Sequence, residues 1–441
     1  MLWIPDRKTL KALARLKRRR RRRRFARILL FLFLIFGLGA ATAPPAGNLL
    51  VEVETVTAPY QFDFIDWESQ AIASEIGRRL IPLPVPTNEV DQRTLVDRYL
   101  GLEEEIRNVE RDLDQIYATN GKQSDVSEET KQLEQKLAKL KTNQADIVPQ
   151  VETILAHQLE AVLHDEGFVI AGRAFPPVAF RLIDPPTALI LSPRDRIQNQ
   201  HFVGLQPGLD NNIRTQIEDK LDQRGDISSY VVNVGGLGSY PTIVINTSHL
   251  PGLLETISHE WVHNYLFTFP TNISWGYQTY PKLTTINETT ATIVGKELSR
   301  KVITRFYPDW IDRLPPVDNQ GIPIPREPSE FDLAMRRIRL RVDQLLAAGQ
   351  IEEAEAYMEV ERQKLVEKGY NLRKLNQAYF AFYGSYAFGP DSIDPIGPQI
   401  RQLRTASSSL KDFLSRVGWL NSYDDYLAWL DEFKINIDLK N

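Results

Sequence analysis

Within His259-Glu260-Trp261-Val262-His263, two imidazoles and a carboxylate stand close enough along the chain to act on one water molecule. In an α-helix, residues i and i+4 share a face, so both histidines can direct a ring nitrogen at a single ion. Glu260 stands one position round from His259, near enough to the ion's open position to hold a water and take its proton. The chemistry predicted is zinc-dependent hydrolysis. A catalytic zinc takes three protein ligands and keeps one position open. The third is sought on a second helix, where Asn287-Glu288-Thr289-Thr290-Ala291 supplies Glu288, 25 positions after His263. That interval lets one helix end, a loop turn and a second helix run back past the metal.

Positioning these side chains requires two rigid helices. Leu254, Ile257, Trp261 and Tyr265 recur at spacings of three and four, an apolar stripe beside the histidine face that would press the first helix into a core. Pro251-Gly252 suits its entry turn, and Pro270 stops the pattern after Phe269. The second helix is expected over 284–300, with Ile286, Ile293, Val294 and Leu298 available for burial.

The pair of motifs, His-Glu-x-x-His followed by Asn-Glu-x-x-Ala, resembles the gluzincin metallopeptidases, the clan of thermolysin and the membrane alanyl aminopeptidases. The resemblance implies a zincin-like α+β domain and a peptide or protein substrate, with His259, His263 and Glu288 as Zn2+ ligands and Glu260 as general base. Upstream, Gly235-Gly236-Leu237-Gly238-Ser239-Tyr240 leads into a strand expected over 241–246. The resemblance implies a sheet-edge strand there that pairs with an extended peptide, the glycines admitting substrate backbone; a plain hairpin turn uses the same glycines equally well. Downstream, the stretch from Leu375 to Tyr383 is similar to a bacterial family of predicted aminopeptidases. By that likeness Tyr383 or Tyr386 would hydrogen-bond the oxyanion, whereas their plain reading is core packing. Two departures stand out. The Gly-x-Met-x-Asn strand motif of the aminopeptidases is absent, which leaves exopeptidase specificity open. Thr292 occupies the place where thermolysin-like enzymes carry a histidine-orienting acid, so that support must come from elsewhere.

Ahead of the catalytic motifs stands a membrane address. Arg18 to Arg24 is an unbroken run of seven arginines, and after Phe25-Ala26-Arg27 residues 28–46 form a nearly pure apolar stretch of 19. Such a length crosses a bilayer with its basic flank in the cytoplasm, which places the catalytic domain outside. Ala41-Thr42-Ala43 matches a signal-peptidase site, but Pro44 directly after it disfavours cleavage, so a retained single-pass anchor is preferred to a secreted chain. Thirteen of the 53 Lys and Arg and one of the 57 acids fall in residues 1–27, so the remainder carries 40 basic and 56 acidic side chains, a net charge near −16. An acidic body disfavours nucleic-acid partners, and zero cysteines exclude disulfides, thiolate zinc sites and cysteine nucleophiles.

The expected organisation is a basic tail (1–27), an anchor (28–46), a linker with first elements (47–91), a helical hairpin (92–164), a zincin catalytic domain (165–306) and a helical C-terminal lobe (307–441). Leu95, Tyr99, Leu102, Ile106, Val109, Leu113 and Ile116 alternate at spacings of four and three, a coiled-coil seam. A polar break follows, then a second helix, so the two fold back as a hairpin suited to self-association or partner docking. His157 and His164 on that helix, and the isolated His201 and His249, read as structural. Short apolar runs at 168–171, 178–183, 188–191, 230–234 and 242–245 predict strands of one sheet, with a helix over 211–223. Helices are expected over 329–348, 351–368, 372–384, 396–416 and 422–433. The functional reading is a membrane-anchored zinc peptidase, with a membrane-tethered coiled-coil scaffold bearing a structural or vestigial zinc site as the alternative.

Overall fold

The seam of the predicted hairpin is the frame on which the site is built. The structure, a computed structural model, describes residues 48–81, 83–120, 128–270, 273–276, 280–384 and 395–435. The predicted anchor at 28–46 lies outside them, and no helix among the described residues is long and apolar enough to cross a membrane. The chain divides into two units, Met1–Ala58 and Pro59–Asn441. The first contains α1 (Leu49–Thr57), whose N-cap Asn48 accepts the Leu50 N–H at 2.9 Å.

In the second unit, α2 (Phe64–Leu80) opens on Asp63, which accepts the Asp66 N–H at 2.9 Å. It ends before Pro82, whose ring disfavours helical backbone at Ile81. Next come the two long helices of the hairpin, α3 (Glu89–Asn120) and α4 (Glu128–Asp165), which run antiparallel. The hairpin has two halves with different partners. Toward its tip, Ile106, Val109 and Leu113 meet Leu140 in a small cluster of their own. At its base, Val96, Tyr99, Ile154, Leu155, Leu159 and Leu163 are buried in the same core as the two helices that carry the site. The Tyr99 hydroxyl donates to Asn246 Oδ1 at 3.0 Å, and Arg107 donates to the Asn246 carbonyl at 2.6 Å.

The fold is mixed α and β, and the expected single sheet is three small ones. A two-residue hairpin joins β1 (Val169–Ile170) to β2 (Arg173–Ala174). The strand β3 (Phe180–Leu182) is followed by β4 (Thr187–Pro193), which is buried along its whole length, and by β5 (His201–Leu205). After α5 (Asn211–Asp222) come β6 (Ile227–Asn233), β7 (Gly236–Leu237) and β8 (Thr242–Val244). One sheet has the antiparallel order β5-β4-β6; the other has β3 parallel to β8 and β7 antiparallel to β8, which leaves β7 at its edge. Gly235 to Ser239 therefore begins as an edge strand that turns back on β8.

The metal-motif helix α6 (Leu250–Phe267) and α7 (Pro281–Phe306) pack together along their length. Beyond the proline-rich 307–328, α8 (Glu330–Ala347), α9 (Ile351–Glu367) and α10 (Gln377–Tyr383) cover the β4–β6 sheet, where Met335, Val342, Met358 and Phe380 meet Ile190 and Val232. The helix expected over 396–416 is two, α11 (Ile396–Ala406) and α12 (Leu410–Gly418). The break falls on a serine run: Ser407 Oγ donates to the Leu403 carbonyl at 2.8 Å, and Ser409 starts the next helix by accepting the Asp412 N–H at 3.1 Å. With α13 (Tyr423–Glu432) they join the core of α6 and α7. The C-terminal helices are thus shared between two cores. A buried bidentate pair, Arg404 to Glu297 at 2.9 and 2.8 Å, locks α11 to α7.

Candidate metal centre

The first turn of α6 is set by His249. Its Nδ1 accepts the Gly252 N–H at 3.1 Å as an N-cap, and Pro251 lies inside the first helical turn, where a missing N–H costs nothing. The predicted stripe is the buried face: Leu254, Ile257, Trp261 and Tyr265 all face the core. Trp261 Nε1 donates to the Pro176 carbonyl at 2.8 Å, and Phe168 meets the Trp261 and Tyr265 rings edge-on at 5.2 and 5.1 Å. This packing fixes the rotation of α6 and turns His259 and His263 toward α7.

The second helix comes unusually near. A Cβ at Gly295 would lie 3.0 Å from the Glu255 carbonyl oxygen, 3.2 Å from His259 N and 3.3 Å from His259 Cα, so a methyl there would press on the α6 backbone. Seven positions earlier on α7, Glu288 is almost wholly buried. Its Oε2 lies 3.3 Å from His259 Nε2 and its Oε1 3.6 Å from His263 Nε2, while the two histidine Nε2 atoms are 3.0 Å apart. A tetrahedral ion with bonds of about 2.0–2.1 Å sets its ligand atoms roughly 3.3 Å apart. The separations of 3.0, 3.3 and 3.6 Å lie near that value, with a different carboxylate oxygen of Glu288 facing each histidine. His259, His263 and Glu288 are the one group among the described residues whose ligand atoms converge to hold a metal ion.

One donor is held in the tautomer a cation needs. His263 Nδ1 lies 3.1 Å from Asn287 Oδ1. An amide oxygen only accepts, so the ring proton sits on Nδ1 and Nε2 presents its lone pair toward Glu288 and His259. Asn287 is itself buried, at the position just before the third ligand. Sequence reasoning quoted it in the motif without giving it a role. Thr292, the residue without an acid, is only half-buried.

Glu260 is buried on the same helix and packs under the edge strand β7. A Cβ at Gly236 would meet Glu260 Oε1 at 2.5 Å, whereas one at Gly238 would sit 3.7 Å from Oε2, an ordinary contact. Oε2 of Glu260 has no hydrogen-bond partner among the described residues. Burial pushes its carboxyl from 4.5 up to about 7, with His263 pulling it down and Glu288 adding to the rise. A desolvated carboxyl with an unused oxygen beside three convergent ligand atoms suits a group that takes up and gives back a proton.

The other sequence candidates fall elsewhere. Tyr383 ends α10 in the second core, its ring 4.5 Å from Tyr379 and 5.0 Å from Phe382, in the aromatic cluster with Tyr230. Tyr386 lies outside the described residues. His157 is exposed, His164 stands 3.8 Å from Asp165, and His201 opens β5. No family model, curated protein or solved structure matches this chain.

Proposed function

We propose that the chain is a membrane-anchored zinc-dependent peptidase of gluzincin type whose catalytic part works outside the cytoplasm. The observation that carries the reading is the convergence of His259, His263 and Glu288 on one point, with Glu260 buried on the same helix as the two histidines. When bound, zinc supplies Lewis acidity toward a carbonyl oxygen and brings the pKa of a water toward neutrality.

The chain's own residues do the rest. Asn287 holds the His263 ring in its metal-binding tautomer, and the close packing of Gly295 keeps Glu288 in register with both histidines. Glu260 accepts the proton of the attacking water and passes it to the departing amine nitrogen, returning to its starting state. Its burial keeps the carboxyl from being solvated away from that task. Against a scaffold with a structural zinc, such sites use four protein ligands, and three converge among the described residues. The membrane part of the reading rests on the arginine run and the apolar stretch of residues 18–46.

The test is digestion of a peptide library by the full chain, with and without chelator, beside Glu260→Gln. Wild type should cleave, lose activity to chelator and regain it with zinc, and the variant should fall by at least about a hundredfold with zinc still bound. Undiminished cleavage by Glu260→Gln would overturn the assignment. The cut positions separate exopeptidase from endopeptidase action.

A further inference from the structure

Helix α2 leaves an aliphatic face exposed. Its body-facing side carries the half-buried Phe64 and Trp67 and a set of polar ties: Arg78 Nη1 pairs with Glu152 at 2.5 Å, Arg181 Nη2 with Glu75 at 3.0 Å, and Arg79 donates to the Tyr240 hydroxyl at 2.8 Å. Glu68 accepts the Tyr240 N–H at 3.4 Å, and Ala71 is the helix's one buried apolar residue. Its outward side carries Ile65, Ile72, Ile76 and Leu80, at intervals of seven, four and four, which bring them to one face of an α-helix. They are 81 %, 40 %, 55 % and 77 % exposed, and Ile81 continues the patch at 79 %. A helix packed on a water-soluble body buries its apolar stripe and solvates its charges. Here charged pairs help hold the helix to the body and the aliphatic side chains are left outside, a stripe of the kind that marks an interaction surface.

What covers it follows from where it stands in the chain. Eighteen residues lie between Ala46, the end of the predicted span, and Ile65, and nine of them form α1, so the tether reaches at most about 50 Å. An aliphatic stripe on so short a leash beside a bilayer meets lipid before it meets another protein. We infer that α2 lies on the outer surface of the membrane, its Ile65-Ile72-Ile76-Leu80 face immersed at the headgroup–acyl boundary and its polar face bracing the catalytic body. The inference rests on the membrane-anchored reading above. It adds a second, interfacial attachment that fixes the orientation of the body on the bilayer. The polar face ends on Tyr240, in the turn between β7 and β8, so the immersed helix is bonded to the same arm whose Gly236 touches Glu260.

The chain has no cysteine, so single-cysteine labels report position without interference. The full chain with Ile72→Cys, Ile76→Cys or, on the far face of α2, Ser74→Cys is labelled with an environment-sensitive nitrobenzoxadiazole. Each is reconstituted into phosphatidylcholine–phosphatidylglycerol liposomes with and without doxyl-labelled lipid. The labels at 72 and 76 should be quenched at least about twofold more than the label at 74, as expected for side chains at the acyl boundary. If the protein floats with the liposomes but all three labels are quenched alike, the interfacial helix is refuted and the anchor stands. Failure to float removes the anchor and with it lipid as the occupant. Blue-shifted labels at 72 and 76 that doxyl lipid does not quench mean that a second copy of the chain covers the stripe, which also overturns the proposal.

Discussion

His263 Nδ1 lies 3.1 Å from Asn287 Oδ1, so the residue preceding one proposed ligand orients another. Replacing Asn287 by Leu keeps the size but removes the acceptor and frees the ring to rotate or change tautomer. Zinc affinity measured by chelator competition is expected to fall about 10- to 100-fold. Asn287→Asp, which still accepts, should recover most of it. Equal affinity in all three proteins would dismiss the orienting role.

Gly236 and Gly238 make a paired experiment. A methyl at Gly236 would come within 2.5 Å of Glu260 Oε1, and the carboxylate must move; a methyl at Gly238 is 3.7 Å from Oε2 and needs no movement. Gly236→Ala should lower kcat by about tenfold or more, since a displaced base loses much of its contribution, with KM and bound zinc little changed. Gly238→Ala should behave as wild type. Identical kinetics for the two variants would detach the edge strand from the base.

At Gly295 the obstacle is backbone, which cannot swing aside as a side chain does. Gly295→Ala must part α6 from α7 by a few tenths of an ångström, an overpacking cost of about 1–3 kcal/mol. Because Glu288 rides on the same helix, zinc binding should weaken together with thermal stability. A variant less stable yet unimpaired in zinc affinity would separate the two effects and count against Gly295 as the setter of the ligand distance.

Zinc should stabilise the native chain and not the unfolded one, where the ligands are far apart. At a free ion concentration 100 times Kd the gain is about 2.7 kcal/mol, visible as a rise in Tm. His259→Ala should melt at one temperature with or without zinc. A full zinc-dependent rise in that variant would place the ion elsewhere.

The hairpin offers a contrast within one motif. Leu155 is fully buried in the core shared with α6 and α7, so Leu155→Ala should cost about 2–5 kcal/mol and lower the melting of the whole Pro59–Asn441 unit. Leu113, in the tip cluster, should cost less and leave zinc affinity untouched. A Leu155→Ala protein that loses only hairpin signal would show the base of the hairpin to be separable.

The sequence signals that worked were local and periodic. The spacing of His259 and His263 places both on one helix face, the stripe of Leu254, Ile257, Trp261 and Tyr265 marks the side that is buried, and the helix carrying Glu288 reaches the same point. Signals that depend on distant neighbours were silent. Nothing near Gly236 or Gly295 announces that a carboxylate or a helix backbone will touch it, because each partner lies tens of residues away. His249 looked isolated because its partner is a backbone N–H, which no residue type advertises. β5 escaped notice because His201 and Gly204 interrupt its apolar content at an edge, and three serines divided a continuous-looking helix at Ser407. Tyr383 illustrates the opposite hazard: an aromatic run that suits an oxyanion donor serves equally to fill the space beside Tyr230.

The base of the hairpin ties Tyr99 to Asn246 across 147 positions of chain. Contacts of such long sequence separation slow folding, because the loop between them must close before either end is rewarded. As the ribosome delivers the chain from its N-terminus, α3 and α4 emerge first, and Leu155, Leu159 and Leu163 stay uncovered until α6 and α7 follow. The nascent molecule therefore passes through a sticky interval of roughly a hundred residues' synthesis, about 5–20 s at the usual elongation rate, before its own core can shield those leucines.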